Sequence, residues 1–305
     1  MYDGIINIYK EAGFTSHDVV AKLRGILKQK KIGHTGTLDP DAEGVLPVCL
    51  GKGTKLCEFL TDKTKEYQAV LLLGVETDTQ DAGGQIVSYG NSQVMDSLTE
   101  EAVRETIMSF VGPYEQIPPM YSALKVNGQK LCDLARAGKV VERKARPIEI
   151  LSISIDNICL PRVTMTVSCS KGTYIRTLCH DIGKKLGVGG CMEKLLRTRS
   201  GNFALETALT LEQVEKARDE GTLERYILPV DEVFADYPAW TVQGQAEKLV
   251  RNGNPFCPDL SGETGQKELP SVIRVYDSSG IFIGIYVYRK ERQWFQPQKI
   301  FAGGQ

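Results

Sequence analysis

The segment Gly33-His34-Thr35-Gly36-Thr37-Leu38-Asp39-Pro40, continuing Asp41-Ala42-Glu43-Gly44-Val45-Leu46-Pro47, limits this chain's fold more than any other stretch. Pro40 fixes its own φ and pushes Asp39 toward extended geometry. Gly33, Gly36 and Gly44 let the backbone turn sharply or approach a neighbour closely. The fold must therefore carry a tight loop here with a single carboxylate held in it. Such an acid can be a nucleophile, a general base or a metal ligand, or it can simply bond its own backbone in a turn.

Regular elements flank the loop. Gly4–Tyr9, Tyr67–Val75, Ile148–Asn157 and Val163–Ser170 alternate or run apolar as strands do. His17–Lys28 reads as a helix with Ser16 as its cap, and Thr99–Phe110, Gln129–Ala137, Ile175–Leu186 and Thr210–Asp219 also carry helical patterns. Strands not regularly followed by helices imply an α+β fold with a mixed or antiparallel sheet. At 305 residues the chain exceeds what one core usually serves, and two domains are expected, 1–232 and 233–305. In the second, Val272–Tyr276 and Phe282–Tyr288 flank Asp277-Ser278-Ser279-Gly280 as a β-hairpin.

The formal net charge is −1, yet it is unevenly placed. Val19–Gly33 holds five basic residues and no acid; Tyr121–Arg146 and Lys171–Arg199 each hold seven against two acids; Ala204–Asp236 holds nine acids against three bases. This asymmetry suggests one cationic face toward a polyanion. The 116–147 stretch is a long cationic excursion, and such loops in compact domains are usually functional or disordered. Eight scattered cysteines without C-x-x-C or zinc spacing read as thiols of a reducing cytoplasm. With three histidines, no metal site is expected, and no apolar run approaches a membrane span.

The loop resembles the catalytic motif of the TruB family of tRNA pseudouridine-55 synthases. Five further blocks resemble the family in order: Thr15–Val20, Lys65-Glu66-Tyr67, Pro118–Lys125, Lys171–Leu178, and Leu195 with Arg197–Gly201. The resemblance implies Asp39 as the catalytic carboxylate. It implies Tyr67 stacked on an extruded uracil, Arg176 as the cation beside Asp39, and Tyr174, Leu195 and His34 as further substrate contacts. Tyr174 and Arg176, two apart in what resembles a second active-site strand, would share a face. It implies residues 116–147 as a thumb-like insertion closing on the tRNA elbow and T stem-loop. Lys125, Lys130, Arg136, Arg143, Lys144, Arg146 and Arg197 are then the expected RNA-binding cations. It implies a C-terminal PUA-like β-barrel, no cofactor, no protein partner and a monomer. Two departures stand out: Glu11 follows Lys10 where the family usually has Pro, and Cys132 replaces the usual thumb Tyr. The conversion breaks a C1′–N1 bond and rejoins the base through C5, which needs neither redox chemistry nor a metal. Alternatives are a synthase for another RNA site, a tRNA-folding chaperone, or a carboxylate–metal hydrolase using Asp41 and Glu43.

Overall fold

A computed structural model describes residues 1–61, 63–261 and 269–302. Its spine is a sheet with the strand path Ile227–Leu228, Gly4–Lys10, Glu43–Leu50, Gly190–Ser200, Lys65–Leu73, Arg162–Cys169, Arg146–Cys159, Gly112–Gln116. Pairing along this path is antiparallel except at its middle, where Gly190–Ser200 runs parallel to Glu43–Leu50 over Leu196↔Glu43 and Arg197↔Gly44. Only these two positions pair along this parallel contact. Gly44 makes the close approach possible. It sits at φ +106°, and a Cβ there would lie 2.2 Å from the Arg197 carbonyl oxygen. Gly33 and Gly36 keep ordinary φ values; a Cβ at Gly33 would still crowd Cys57 Sγ at 3.3 Å, while Gly36 has room.

Alternation along Lys65–Leu73 sends Tyr67, Ala69, Leu71 and Leu73 into one core, shared with Leu195 and with Ile175, Leu178 and Ile182 of the helix Ile175–Lys185. A second core joins Ile6, Ile8, Leu46 and Val48 to Val19, Val20 and Leu23 of the helix Ser16–Leu27. That helix is capped by Thr15, whose hydroxyl and Asp18 form a capping box. Thr15, not Ser16, is thus the cap, which leaves Ser16 free for another task. Thr210 and Gln213 cap Leu211–Asp219 in the same way.

The C-terminal strands Ala239–Thr241, Val272–Tyr276, Phe282–Arg289 and Trp294–Ile300 form a separate four-stranded sheet around Trp240, Phe256, Tyr286 and Phe295. The expected hairpin is present, and its turn is held by the Asp277 carboxylate, which accepts from Ser279 N and Ile281 N. A fourth cluster spans both parts: Ile5, Cys49, Leu56 and Leu60 pack with Phe234, Ile285 and Phe301. No helix among the described residues is long and apolar enough to cross a membrane.

Two local expectations change. The Lys171–Leu178 block is a turn leading into a helix: Tyr174 is extended at φ −104°, ψ 108°, and Ile175 begins the helix, so Tyr174 and Arg176 do not lie on one strand face. Within 116–147 the helix is only Leu131–Arg136, because Asn127 and Gly128, at φ +51° and +82°, close a small hairpin pairing Lys125 with Lys130.

Candidate active site

Asp39 lies between neighbours that are pinned on both sides. Leu38 N donates to Ser16 Oγ at 2.9 Å. Gly13 N donates to the Pro40 carbonyl at 3.0 Å, and Ala42 N closes the turn onto the Asp39 carbonyl at 3.2 Å. Lys10, wholly buried, donates its ammonium to the carbonyls of Glu11, Pro40 and Ala42. Burial brings Lys10 down to about 8 despite the opposing pull of Asp39, Asp41 and Glu43.

Arg176 approaches Asp39 side-on, with Nε 3.0 Å from Oδ2 and Nη2 3.3 Å from Oδ1. Its Nη1 reaches the Thr79 carbonyl at 3.0 Å and Asp81 Oδ2 at 3.2 Å, and Nη2 reaches the Tyr121 carbonyl at 2.8 Å. Four hydrogen bonds and the Nε ion pair thus surround the guanidinium, which is what keeps a group only 5 % exposed tolerable in the core. Burial raises the Asp39 pKa; Arg176 and Lys10 pull it down, while Asp81 and Asp41 push it up. The Asp39 side chain is still 38 % exposed, so a reacting group can reach it.

Tyr67 and Tyr174 complete the neighbourhood, both near enough to feel the Asp39 charge, and burial raises both phenols. Tyr67 and Leu195 belong to the apolar wall that includes Leu38. His34 stands apart from the Asp39–Arg176 pair. It packs edge-on against His17 at 5.7 Å, and its Nδ1 accepts from Gly36 N at 3.4 Å. Burial, then the nearby His17, lowers its pKa and keeps it neutral.

Arg197 departs from its expected role. At 2 % exposure it lies inside the sheet, cross-strand from Tyr67, and donates to the Val45 carbonyl at 2.6 Å and the Gly36 carbonyl at 3.4 Å. It braces the loop and cannot be a surface phosphate contact. Lys125, Lys130, Arg136, Lys144 and Arg146 are exposed; Arg143 is half-buried and donates to the Pro118 carbonyl at 3.0 Å. Sequence reasoning missed Asp81, Lys10 and Ser16 as site residues. Asp81 sits in Thr79-Gln80-Asp81, where Gln80 has φ +64°, and a polar turn of that kind gives no local sign of a partner 95 residues away.

The family matches make this chain a pseudouridine synthase, and solved structures share its mixed-sheet fold. It superposes on a Cbf5–Nop10–Gar1 complex with a TM-score of 0.69 at 26 % identity, covering 98 % of this chain and 84 % of that one. An H/ACA RNP bound to a substrate RNA containing 2′-deoxyuridine also gives 0.69, at 25 % identity, covering 98 % and 85 %. More specifically, the chain belongs to the TruB family: residues 24–175 match the N-terminal domain of the TruB family pseudouridylate synthases, and residues 176–235 match the tRNA pseudouridylate synthase B C-terminal domain. It is 51 % identical to a tRNA pseudouridine synthase B of Lachnoclostridium phytofermentans, over 98 % of this chain and 99 % of the relative. It is 45 % identical to that of Alkaliphilus oremlandii, over 95 % and 94 %.

Proposed function

We propose that this protein isomerises uridine 55 in the T-loop of tRNA to pseudouridine, with Asp39 as the reacting carboxylate. The observation that carries the reading is the Asp39–Arg176 pair: a carboxylate held side-on by an ion pair and a charged hydrogen bond from one guanidinium, and still 38 % exposed. Arg176 offsets the burial that would otherwise protonate the acid. Tyr67 offers a ring face to an extruded uracil beside Asp39, Leu195 extends the apolar wall, and Tyr174 brings a hydroxyl. His34, neutral and rigid against His17, is suited to fill the space the flipped base leaves.

In this reading residues 1–232 carry the chemistry and 233–305 form a PUA-like RNA-contacting unit. The insertion 116–147 grips the T stem-loop at the tRNA elbow through its exposed cations, and the enzyme works as a cytoplasmic monomer. Facing lysines support the grip. Lys125 and Lys130 are cross-strand neighbours, an arrangement that costs free energy unless an anion lies between them.

The test is to incubate purified protein with unmodified tRNA and map pseudouridine by position. Modification is expected at uridine 55, and Asp39→Asn should abolish it by several orders of magnitude while leaving tRNA binding nearly intact. Residual turnover above about 1 % of wild type would remove Asp39 from the chemistry.

A further inference from the structure

Gln116 occupies a position that neither its chemistry nor its distance from Asp39 would single out. It ends the strand Gly112–Gln116 and pairs with Arg146, so it stands where the two ends of the insertion meet. It is 1 % exposed. Its side-chain amide grips the backbone of one residue at both polar atoms: Tyr174 N donates to Oε1 at 2.8 Å, and Nε2 donates to the Tyr174 carbonyl at 3.0 Å. This pair of hydrogen bonds fixes which end of the amide is oxygen, because the reverse orientation would oppose donor to donor and acceptor to acceptor.

Tyr174 is the N-cap of the helix Ile175–Lys185, and its side chain makes no cap hydrogen bond. The helix start is therefore held from outside, by Gln116. Arg176 is the second residue of that helix, so a shift of its first turn moves the guanidinium that holds Asp39. A second tie runs from the same insertion: the Tyr121 carbonyl accepts from Arg176 Nη2, and the next residue's carbonyl accepts from Cys132 N at the start of the insertion's helix.

The geometry points to Gln116 as a positioning residue that fastens the root of the RNA-gripping insertion to the helix carrying Arg176, and so sets the aim of Arg176 on Asp39. This rests on the assignment of Asp39 and Arg176 given above. Gln116 touches no reacting atom. Its effect passes through the Tyr174 backbone, and closure of the insertion on RNA is felt at the ion pair through it.

Two variants of the full-length protein test this on unmodified tRNA, with turnover, KM and thermal unfolding followed together. Gln116→Leu removes both hydrogen bonds at similar volume; turnover should fall roughly 10- to 100-fold, with KM changed by less than about threefold, as expected of a small misplacement of a reacting pair. Gln116→Glu separates positioning from packing. An ionised carboxylate accepts from Tyr174 N but has no proton for the Tyr174 carbonyl; a protonated one replaces the amide at both atoms. Burial and the Asp181 carboxylate, linked through the Tyr114 hydroxyl, favour the protonated form, against the pull of Arg146 directly opposite in the sheet. Turnover of Gln116→Glu relative to wild type at the same pH should therefore climb about tenfold from pH 8 to pH 6. Wild-type turnover in Gln116→Leu, or a flat ratio in a folded Gln116→Glu, overturns the proposal. If Gln116→Leu does not fold, the pH ratio of Gln116→Glu decides alone. A wild-type protein that forms no pseudouridine overturns the reading of Asp39 itself, and this proposal with it.

Discussion

At the scale of single residues, burial and Arg176 act on Asp39 in opposite directions, and burial is the larger. A rate that depends on the ionised acid must rise with pH through the Asp39 pKa. Arg176→Met removes the largest stabiliser of the ionised form and leaves the burial, so the acidic limb of the pH–rate profile should move to higher pH as turnover falls. An unmoved limb would assign that ionisation to another group. Lys10 sets the other limit. Three carbonyls need three N–H donors, and only the ammonium has three, so deprotonation near pH 8 leaves one acceptor of the Asp39 loop unserved. Turnover should decline above about pH 8, and that limb should be missing in the slower Lys10→Met. Stability has the opposite sign. Folded Lys10 gives up its proton at about 8 and the unfolded chain at 10.5, so between these values the unfolded state holds more protons and this group's contribution to stability rises with pH. Activity falling while stability holds or rises would separate the loop's geometry from its folding.

At the scale of elements, the hairpin Lys125–Lys130 is built by its turn against its own charge. Asn127-Gly128 supplies two left-handed residues, and the strands then set Lys125 directly opposite Lys130. Replacing both lysines with alanine should leave the hairpin no less stable and weaken tRNA binding. Two fewer phosphate contacts should flatten the log–log salt dependence by about 1–2; an unchanged slope would show that the hairpin does not touch the backbone. Arg143 contributes less here than its charge suggests, since its guanidinium is half-buried and engaged with Pro118. Much of this architecture was legible. Strand alternation marked the sheet, Thr210-x-x-Gln213 marked its helix, and the glycine–proline loop marked Asp39. What stayed hidden depended on strand register or on sequence-distant contacts. Arg197 looked like a surface cation until its register opposite Tyr67 and Gly44 placed it inside the sheet. The resemblance put Tyr174 and Arg176 on one strand, but only Tyr174 is extended and the helix begins at Ile175. The Asn-Gly turn was visible, but the helical pattern around Gln129–Ala137 masked it.

At the scale of the whole molecule, the C-terminal sheet is joined to the rest by packing and by charge, and the two contributions can be tested apart. Phe301 and Ile285 share a buried cluster with Ile5, Cys49, Leu56, Leu60 and Phe234. Losing one such phenylalanine side chain costs about 3–5 kcal/mol, a large share of a typical domain's stability. Removing everything from Asp236 onward would uncover this cluster, so a truncation reports on folding before it reports on RNA. Charge gives the cleaner probe. Burial and then the positive neighbours Lys31, Lys299 and Lys52 lower Lys55, which marks four lysines from both parts of the chain gathered on one face. Lys55 is also structural, donating to the Ile300 carbonyl at 2.9 Å, and must stay. Lys52 is exposed, and Lys299 rests its ammonium over the Phe59 ring at 5.7 Å. Lys52→Ala with Lys299→Ala should therefore keep the unfolding temperature close to wild type. Asp39, Tyr67, Tyr174, Arg176 and Leu195 all lie elsewhere, so the chemical step is untouched, and lost uniform binding appears in KM rather than in kcat. KM for whole tRNA should rise several-fold with a weaker salt dependence, while a minimal T-arm hairpin, too short to reach this face, should be turned over as before. An equal rise for both substrates would place the lysines against the T arm itself; no rise for either would leave the C-terminal sheet as a packing element without RNA contact.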